Sequence, residues 1–261
     1  MTMKPELVGL GRVGCVMRFG EVAVKTANKW KVPNDASEYT VTMYLEINQT
    51  IEEALKHEGH VYQHLANVKG VLQPLQISDT EIRMPYIHHR SLDSFLRENQ
   101  ATVTNLQILR WVRNAADTLC EVHEHHVLVV DIAARNFLVN DDLSLQLCDF
   151  SESIIAPESD SFNEFISDDF LSVKTDIARF GSMVYEMVSG QRYGFYVNPE
   201  VETEVTEGES QLYNAWPTRE RLPPTDDIFL GETIRNCWLQ EGYGQMQAVC
   251  AAVHGEEARA T

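Results

Sequence analysis

Four short motifs follow one another along the chain, and their order constrains the fold more than any other feature of the sequence. The first is Gly-Leu-Gly-Arg-Val-Gly-Cys-Val over residues 9–16, and the second is Val-Ala-Val-Lys over residues 22–25. Near the middle of the chain stand Asp-Ile-Ala-Ala-Arg-Asn over 131–136 and Asp-Phe-Ser over 149–151. Glycines between two strands let backbone N–H groups approach a phosphate without a Cβ in the way. The order of the motifs therefore predicts one phosphate-binding site that is built from both halves of the chain.

Lys25 ends an apolar strand, and that position needs a physical reason because a buried ammonium without a partner is costly. One interpretation is an exposed strand lysine. The other is a lysine that grips phosphates and pairs with a helix carboxylate. Glu58 is the best candidate for that carboxylate, because helical spacing places it on the inward face together with Tyr62. Glu52 and Glu53 are the alternatives.

Asp131, Asn136 and Asp149 are the candidate groups for catalysis and metal binding. Asp131 and Asn136 share one loop, which leaves room for a carboxylate near a hydroxyl and an amide near a metal. Asp149 follows a strand, and hard oxygen ligands of this kind, together with phosphates, suit Mg²⁺. The alternative is three unrelated polar loop residues, which their joint spacing disfavours.

The periodicity of apolar residues predicts a mainly β first part and a mainly α second part. Strands are expected over 5–11, 15–18, 21–25, 39–47, 71–76, 81–85, 137–139 and 145–148. Helices are expected over 51–65, 91–97, 103–123, 175–189, 230–239 and 245–253. The pattern therefore predicts an α+β, bilobal fold, with an N-lobe over 1–86 and a C-lobe over 87–261.

The net charge of −18 limits the partners that this protein can have. Nucleic acid and anionic membranes are poor partners for so acidic a chain, whereas a basic protein is electrostatically favoured. Five scattered cysteines without a C-x-x-C pair fit free thiols in a reducing compartment. The N-terminus lacks a signal-peptide pattern, and no apolar run approaches membrane-spanning length. We therefore expect a cytoplasmic or nuclear location away from membranes, with the oligomeric state left open.

Further matches identify the family that these motifs resemble. Residues 176–186, Asp-Ile-Ala-Arg-Phe-Gly-Ser-Met-Val-Tyr-Glu, are similar to the helix that anchors the large lobe of protein kinases. Residues 234–238 end in a cysteine–tryptophan pair that is similar to the one in the last kinase helices. The chain resembles the eukaryotic protein-kinase fold over nearly its whole length. Residues 135–151 look most like kinase-like proteins of filamentous fungi.

The resemblance implies ATP and Mg²⁺ as cofactors and gives each motif a role. Lys25 would pair with Glu58, and Asp131 would orient the substrate hydroxyl. Asn136 and Asp149 would hold the magnesium ion. The nucleotide would contact Gly9, Gly11, Gly14, Val16, Ala23, Lys25, the gatekeeper Met84, the hinge residues Pro85 and Ile87, and Leu138 below the adenine.

Several residues depart from the kinase pattern. The catalytic loop reads Val-Val-Asp over 129–131 where kinases carry His-Arg-Asp, so the arginine that would pair with a phosphorylated activation loop is lost. Arg135 follows the tyrosine-kinase form of this loop, in which an arginine takes over from the lysine of serine/threonine kinases. Ser151 replaces a glycine and restricts the backbone beside Asp149. The nucleotide site is therefore expected to be better kept than the site for a protein substrate.

Three functions stay open from the sequence. The first is an ATP- and Mg²⁺-dependent phosphotransferase that acts on a protein hydroxyl, chiefly by positioning and charge neutralisation. The second is a pseudokinase that serves as a scaffold, with or without regulation by nucleotide, and the third is a small-molecule kinase of related fold. Two other features have alternative interpretations: His57, His60 and His64 are metal ligands or a solvated helix face, and the acidic run over 200–209 is a solvated loop or a docking segment.

Overall fold

An antiparallel sheet forms the first part of the fold. The computed structural model describes residues 4–158, 162–195 and 216–260, so the acidic run over 200–209 lies outside the described residues. The strands of the sheet are β1 Glu6–Leu10, β2 Gly14–Phe19, β3 Val22–Ala27, β4 Gln76–Ile77 and β5 Glu81–Pro85. They pair in the order β1-β2-β3-β5-β4, which places the glycine-rich turn at one edge and β3 in the centre.

One long helix, α1 over Glu38–His64, packs against this sheet and begins earlier than the sequence predicts. The predicted strand over 39–47 is wrong, because this segment forms the first turns of α1. Ser37 starts the helix by accepting a hydrogen bond from the backbone N–H of Thr40. Tyr39 is 80% exposed, so burial gives the segment no reason to form a strand. A short mixed run of apolar and polar residues does not by itself separate strand from helix.

Helices and short strand pairs build the second part of the fold. The helices are α2 Leu92–Asn99, α3 Asn105–Glu124, α4 Val173–Ser189, α5 Gly231–Trp238 and α6 Met246–Ala260. The strands are β6 Val127–Leu128, β7 Phe137–Val139, β8 Leu145–Leu147 and β9 Ile154–Ile155, with β6 paired to β9 and β7 paired to β8. The predicted α+β class is therefore confirmed. Within the described residues, no helix is long and apolar enough to cross a membrane.

The β7–β8 hairpin is tied to the segment that follows α1. Leu72 donates its backbone N–H to Leu147 O at 2.9 Å, and Leu147 donates to Gly70 O at 2.7 Å. The strand predicted over 71–76 is wrong for this reason: its first residues bind β8, and only Gln76 joins the sheet. Gly70 has a φ of 80°, and a Cβ there would lie 2.0 Å from Thr118 Oγ1, so this crossing requires glycine. The division into lobes at residue 86 stays a prediction.

Helices α4 and α5 pack at unusually close range in the core. Trp238 is fully buried, and its Nε1 donates to Ala178 O at 3.2 Å and to Ser182 Oγ at 3.1 Å. Gly181 makes this approach possible, because a Cβ there would lie 2.6 Å from Cys237 Cβ. Helix α4 is therefore fixed against α5 by close approach of the backbones as well as by side chains.

Substitution Gly181→Ala tests this packing. We expect it to lower the free energy of unfolding by about 1–3 kcal/mol, because the added methyl group overpacks the α4–α5 contact. Gly255→Ala is the matched control, since Gly255 is exposed in α6 with nothing within 4 Å of an added Cβ. The control is expected to stabilise the protein slightly, because alanine favours a helix over glycine. Urea unfolding of both variants measures the difference, and equal effects would contradict the close approach.

Candidate active site

A cavity of about 560 Å³ lies between the sheet and the β6–β8 region. Every residue that the sequence assigns to the site lines this cavity: Gly9, Gly11, Gly14, Val16, Ala23, Lys25, Glu58, Met84, Pro85, Ile87, Asp131, Arg135, Asn136, Leu138 and Asp149. Residues far apart in the sequence are therefore neighbours here. The volume falls within the range of pockets that hold small molecules and cofactors.

The glycine-rich turn forms the roof of the cavity. Gly11 N donates to Gly14 O at 2.8 Å, which closes the turn between β1 and β2. Gly14 lies against Lys25: a Cβ on Gly14 would be 2.5 Å from Lys25 Cε. A side chain at this position would push the lysine away, so the glycine is needed for the roof to reach it. Val16 pairs with Lys25 across β2 and β3, which brings the roof and the ammonium into register.

Lys25 lies between two carboxylates at the back of the cavity. Its Nζ is 2.7 Å from Glu58 Oε2 and 2.8 Å from Asp149 Oδ1. The contact with Glu58 is an ion pair whose hydrogen bond is poorly aligned, whereas the contact with Asp149 is a well-formed hydrogen bond. The side chains of Lys25 and Glu58 are 6% and 1% exposed. Glu52, one of the alternatives from the sequence, instead contacts Lys29 at the surface.

Burial and charge act in opposite directions on these three groups. Burial alone would lower the pKa of Lys25, but the negative charges of Glu58 and Asp149 outweigh it and hold that pKa above its ordinary value. Burial raises the pKa of the Glu58 carboxyl, against the attraction of Lys25. Burial also opposes ionisation of Asp149, yet Lys25 and Ser151 hold its pKa below the ordinary value. Lys25 is therefore a fixed cation at neutral pH, and Asp149 is a fixed anion.

The backbone of Asp149 is held in a conformation that side chains seldom adopt. Its φ is 66°, in the left-handed region. Tyr62 Oη accepts a hydrogen bond from Asp149 N at 3.2 Å, and Ser151 Oγ donates to Asp149 Oδ1 at 2.9 Å. Burial raises the pKa of Tyr62 well above its usual range, so the phenol keeps its proton. The sequence analysis predicted neither hydrogen bond. In the sequence, Ser151 stands out only as a replacement for glycine, and Tyr62 only as a residue on the inward face of a helix.

The catalytic loop orients Asp131 through two neighbours. Asn136 Nδ2 donates to Asp131 O at 2.8 Å and to Asp131 Oδ2 at 2.9 Å. Arg135 forms an ion pair with Asp131 Oδ1. Each carboxylate oxygen can accept more than one hydrogen bond, so Asp131 still has acceptor capacity toward the cavity.

A buried carboxylate, Asp176 on α4, fixes the start of this loop. Its Oδ2 accepts from Val129 N at 2.8 Å, and its Oδ1 accepts from Val130 N at 3.0 Å. His123 Nε2 lies 3.0 Å from Asp176 Oδ2. Val130 has a φ of 67°, a strained conformation for a β-branched residue that these bonds hold in place.

Two aromatic rings of the predicted apolar wall are in contact behind the site. Tyr62 and Phe150 meet edge to face with ring centroids 5.0 Å apart. Val129 is fully buried and belongs to the same hydrophobic core. That valine at position 129 completes this wall, with some loss of packing, stays a prediction.

The residues present fit a magnesium–phosphate group better than a metal bound by protein alone. Asp149 Oδ2 accepts no hydrogen bond from the described residues, and Asn136 uses only its Nδ2 on Asp131. No group of three or more His, Cys, Asp or Glu in the described part of the chain could hold a metal ion. Mg²⁺ typically takes one or two protein ligands and completes its shell with water and phosphate oxygens.

The histidines of α1 serve the packing of the chain. His57 Nε2 lies 2.7 Å from Ser153 O, and His64 Nε2 lies 2.7 Å from His125 O. Both contacts join α1 to later segments through backbone carbonyls. These two nitrogens are therefore engaged, and the geometry gives no support to the metal interpretation of this cluster.

Comparison with known proteins decides the family. A family model described as protein tyrosine and serine/threonine kinase matches residues 8–242. The chain belongs to this family. Ephrin type-A receptor 4-A of Xenopus laevis is 25% identical to this kinase domain over 90% of the chain. Ephrin type-A receptor 1 of Homo sapiens is 26% identical over 69% of the chain, and Ephrin type-B receptor 4b of Danio rerio is 25% identical over 90%.

The kinase domain spans about a fifth to a quarter of the length of these relatives: 24% of Ephrin type-A receptor 4-A, 19% of Ephrin type-A receptor 1 and 25% of Ephrin type-B receptor 4b. The similarity is weak at the level of identity, and it concerns this domain alone. The resemblance to kinase-like proteins of filamentous fungi stays a prediction.

The Lys25→Met variant tests the charge balance of the site through pH. At pH 7 we expect it to cost about 3–5 kcal/mol of stability, because Glu58 is left as a buried carboxylate without its cation. The pKa of Glu58 in the folded variant then lies above its unfolded value. Such a carboxyl destabilises the fold at high pH, and the loss shrinks as the pH falls through that folded pKa toward 5.

Denaturant unfolding of Lys25→Met from pH 8 to pH 5 measures this dependence. The double variant Lys25→Met/Glu58→Gln is the control, since it removes the carboxylate charge and is expected to show a much flatter pH profile. A loss that is the same at every pH in both variants would rule out the buried pair as the cause.

Proposed function

We propose that this kinase domain binds ATP with Mg²⁺ and transfers the γ-phosphate to a hydroxyl of a protein substrate. One observation carries the proposal: Lys25 lies 2.7 Å from Glu58 and 2.8 Å from Asp149, in the same cavity as Asp131 and Asn136. This places a fixed cation, a metal-type oxygen ligand and a candidate base around one space. Family membership supports the same reaction class.

The residues that line the cavity have distinct tasks in this reaction. Glu58 holds the Lys25 ammonium toward the phosphates of the nucleotide, and the glycine-rich turn has no Cβ at Gly11 and Gly14 that would keep its other backbone N–H groups away from them. When bound, magnesium supplies the positive charge that neutralises the phosphates, and Asn136 and Asp149 would hold it.

Asp131 would take the acceptor side of the reaction. It accepts a hydrogen bond from the substrate hydroxyl and receives its proton, while Arg135 and Asn136 keep the carboxylate in its orientation. The main contribution of the domain is thus the positioning of two reactants and the neutralisation of charge.

The adenine would lie between the sheet and the β7 strand. Val16 and Ala23 cover it from above, and Leu138 lies below it in the same cavity. Pro85 lacks a backbone N–H, so the hinge would bind the base through the Pro85 carbonyl and the Ile87 N–H. The protein substrate or partner, a basic one being favoured by charge, and a cytoplasmic or nuclear setting are parts of the same proposal; the five free thiols agree with a reducing compartment.

A pseudokinase is the second candidate, and two observations favour it. Val130 stands where the family pattern has an arginine, and Ser151 together with Lys25 occupies Asp149 Oδ1. A domain of this kind would keep the cavity as a nucleotide-dependent or nucleotide-independent scaffold. Binding and turnover have to be measured separately to distinguish the two functions.

Thermal melting with and without ATP and Mg²⁺ tests nucleotide binding. At a hundredfold excess over Kd, a ligand that binds only the folded state stabilises it by about 2.7 kcal/mol. We expect a rise in Tm that needs magnesium, and we expect Asp149→Asn and Asn136→Ala to remove its magnesium-dependent part. Asn105→Ala, an exposed position at the start of α3, is the matched control. No shift at millimolar ATP would contradict the binding half of the proposal.

The Asp131→Asn variant tests the transfer of phosphate. We expect the rate of transfer from radiolabelled ATP to a mixed peptide library to fall about 10²–10⁴-fold, the usual contribution of a general base. The magnesium-dependent rise in Tm is expected to remain, because Asp131 does not bind the nucleotide in this scheme. Binding without any transfer by the unmodified domain would instead favour the pseudokinase.

A further inference from the structure

Arg179 on α4 carries a charge that nothing in the described structure neutralises. Its Nη1 is buried and makes no hydrogen bond with the described residues. The residue is half-buried, and it lies one turn after Asp176 on the same helix face, the face that binds the catalytic loop. A buried donor without a partner costs free energy, and more when the group is charged. An unpaired guanidinium in such a place therefore points to a ligand.

The space in front of Arg179 is a second cavity of about 610 Å³ beside the catalytic loop. Val130, Asp131, Arg135 and Glu152 line it together with Arg179. Asp131 and Arg135 also line the candidate nucleotide cavity, so the two spaces meet at the candidate base. A polypeptide that presents a hydroxyl to Asp131 would place its neighbouring residues in this second cavity.

The other charged groups of the second cavity are already paired. Glu186 lies 2.7 Å from Arg192, and Asp93 lies 3.0 Å from Arg97. Arg135 pairs with Asp131 within the cavity, and Glu152 pairs with Arg12 from the glycine-rich turn. Four carboxylates and three guanidinium groups line the cavity, and Arg179 is the charged lining residue that has no ion pair among the described residues.

Residue 130 of the loop is an uncharged valine, whereas Arg179 brings a positive charge to the cavity from α4. Its side chain is apolar, and its backbone is fixed by Asp176 Oδ1 at 3.0 Å. The loop thus offers no guanidinium at a position where the kinase pattern has one. Arg179, three residues after Asp176, presents a guanidinium to the same cavity from the helix below.

We propose that Arg179 binds an acidic side chain of the protein substrate, next to the residue whose hydroxyl faces Asp131. This inference rests on the proposed phosphotransferase function and names its substrate class. A guanidinium holds a carboxylate through paired N–H donors, and a partly desolvated site strengthens the contact. The net charge of −18 opposes an acidic ligand at long range, but the range of that repulsion is about 8 Å at physiological salt. The local charge at Arg179 then decides the preference.

Peptide binding tests the proposal without requiring turnover. The probes are fluorescein-labelled peptides with a central Tyr or Ser in an Ala-Gly frame and a single Asp, Asn or Lys at each flanking position in turn. Fluorescence anisotropy gives each Kd in the presence of magnesium and a non-hydrolysable ATP analogue. At one flanking position we expect Asp to bind about tenfold more tightly than Asn, which is the size of one charge-assisted hydrogen bond.

Three substitutions of Arg179 separate recognition from folding. Arg179→Gln is expected to bring the Asp-to-Asn ratio close to one, and Arg179→Lys to keep part of it. Arg179→Glu is expected to reverse the preference toward Lys at the same position, a gain that an unfolded variant cannot produce. Arg110→Gln, at an exposed position on α3, is the control and should keep the wild-type ratio.

The outcomes distinguish this inference from the proposed function. If the wild-type domain binds the Asp and Asn peptides with equal Kd and transfers phosphate to both, the inference is wrong and the proposed phosphotransferase function is still supported. An Asp preference that Arg179→Glu reverses, without any transfer of phosphate, would support the acidic-peptide site and overturn the enzyme. A preference that survives in Arg179→Glu, or no binding of any peptide, would overturn the role of Arg179.

Discussion

A buried carboxylate, Asp176, holds the catalytic loop to the core, and the geometry of the site depends on it. The group is fully buried, and it accepts hydrogen bonds from the backbones of Val129 and Val130. A charge in that environment is costly unless such donors satisfy it, so loop and helix are locked together. The packing of α4 on α5, where Gly181 admits Cys237 and Trp238, fixes the helix that carries Asp176. The position of Asp131 therefore depends on these contacts.

The ion-paired group of Lys25, Glu58 and Asp149 links the sheet, α1 and the segment after β8. Each element contributes one charge, so the three must be in register for any of the charges to be tolerable. The energy of a buried pair is a weak source of stability, since desolvation offsets much of the attraction. The value of the arrangement lies in its specificity: it fixes α1 against the cavity and points a cation at the space where phosphates would bind.

Departures from the kinase pattern have different consequences on the two sides of Asp131. On the nucleotide side, Ser151 replaces a glycine but donates a hydrogen bond to Asp149, and Val129 is fully buried in the core that also holds Tyr62 and Phe150. On the other side, Val130 removes an arginine from the loop. Arg179 restores a positive charge to the same cavity from a different element. The cavity beyond Asp131 therefore has a guanidinium on α4, although residue 130 of the loop is apolar.

The class of fold could be read from local patterns in the sequence, and so could a set of residues that share one cavity. Glycine spacing, a lysine in an apolar strand and two polar loops are local signals, because each reflects what one backbone position or one charge requires. They predicted residues that the fold brings into one cavity. The sequence did not determine the course of residues 39–47 or 71–76, since short apolar runs suit strand and helix alike until a partner is present.

Which charged side chains meet depends on how the helices and strands pack. Helical spacing favoured Glu58 over Glu52, but only the packing of α1 brought Glu58 to Lys25 and left Glu52 with Lys29 at the surface. The same holds for Arg179. Its spacing from Asp176 predicts that the two share a helix face, but it does not predict that this face packs against the catalytic loop. Periodicity predicts which residues lie on the same face of a helix. The partner that this face contacts depends on how separate elements pack, which is determined by residues along the whole chain.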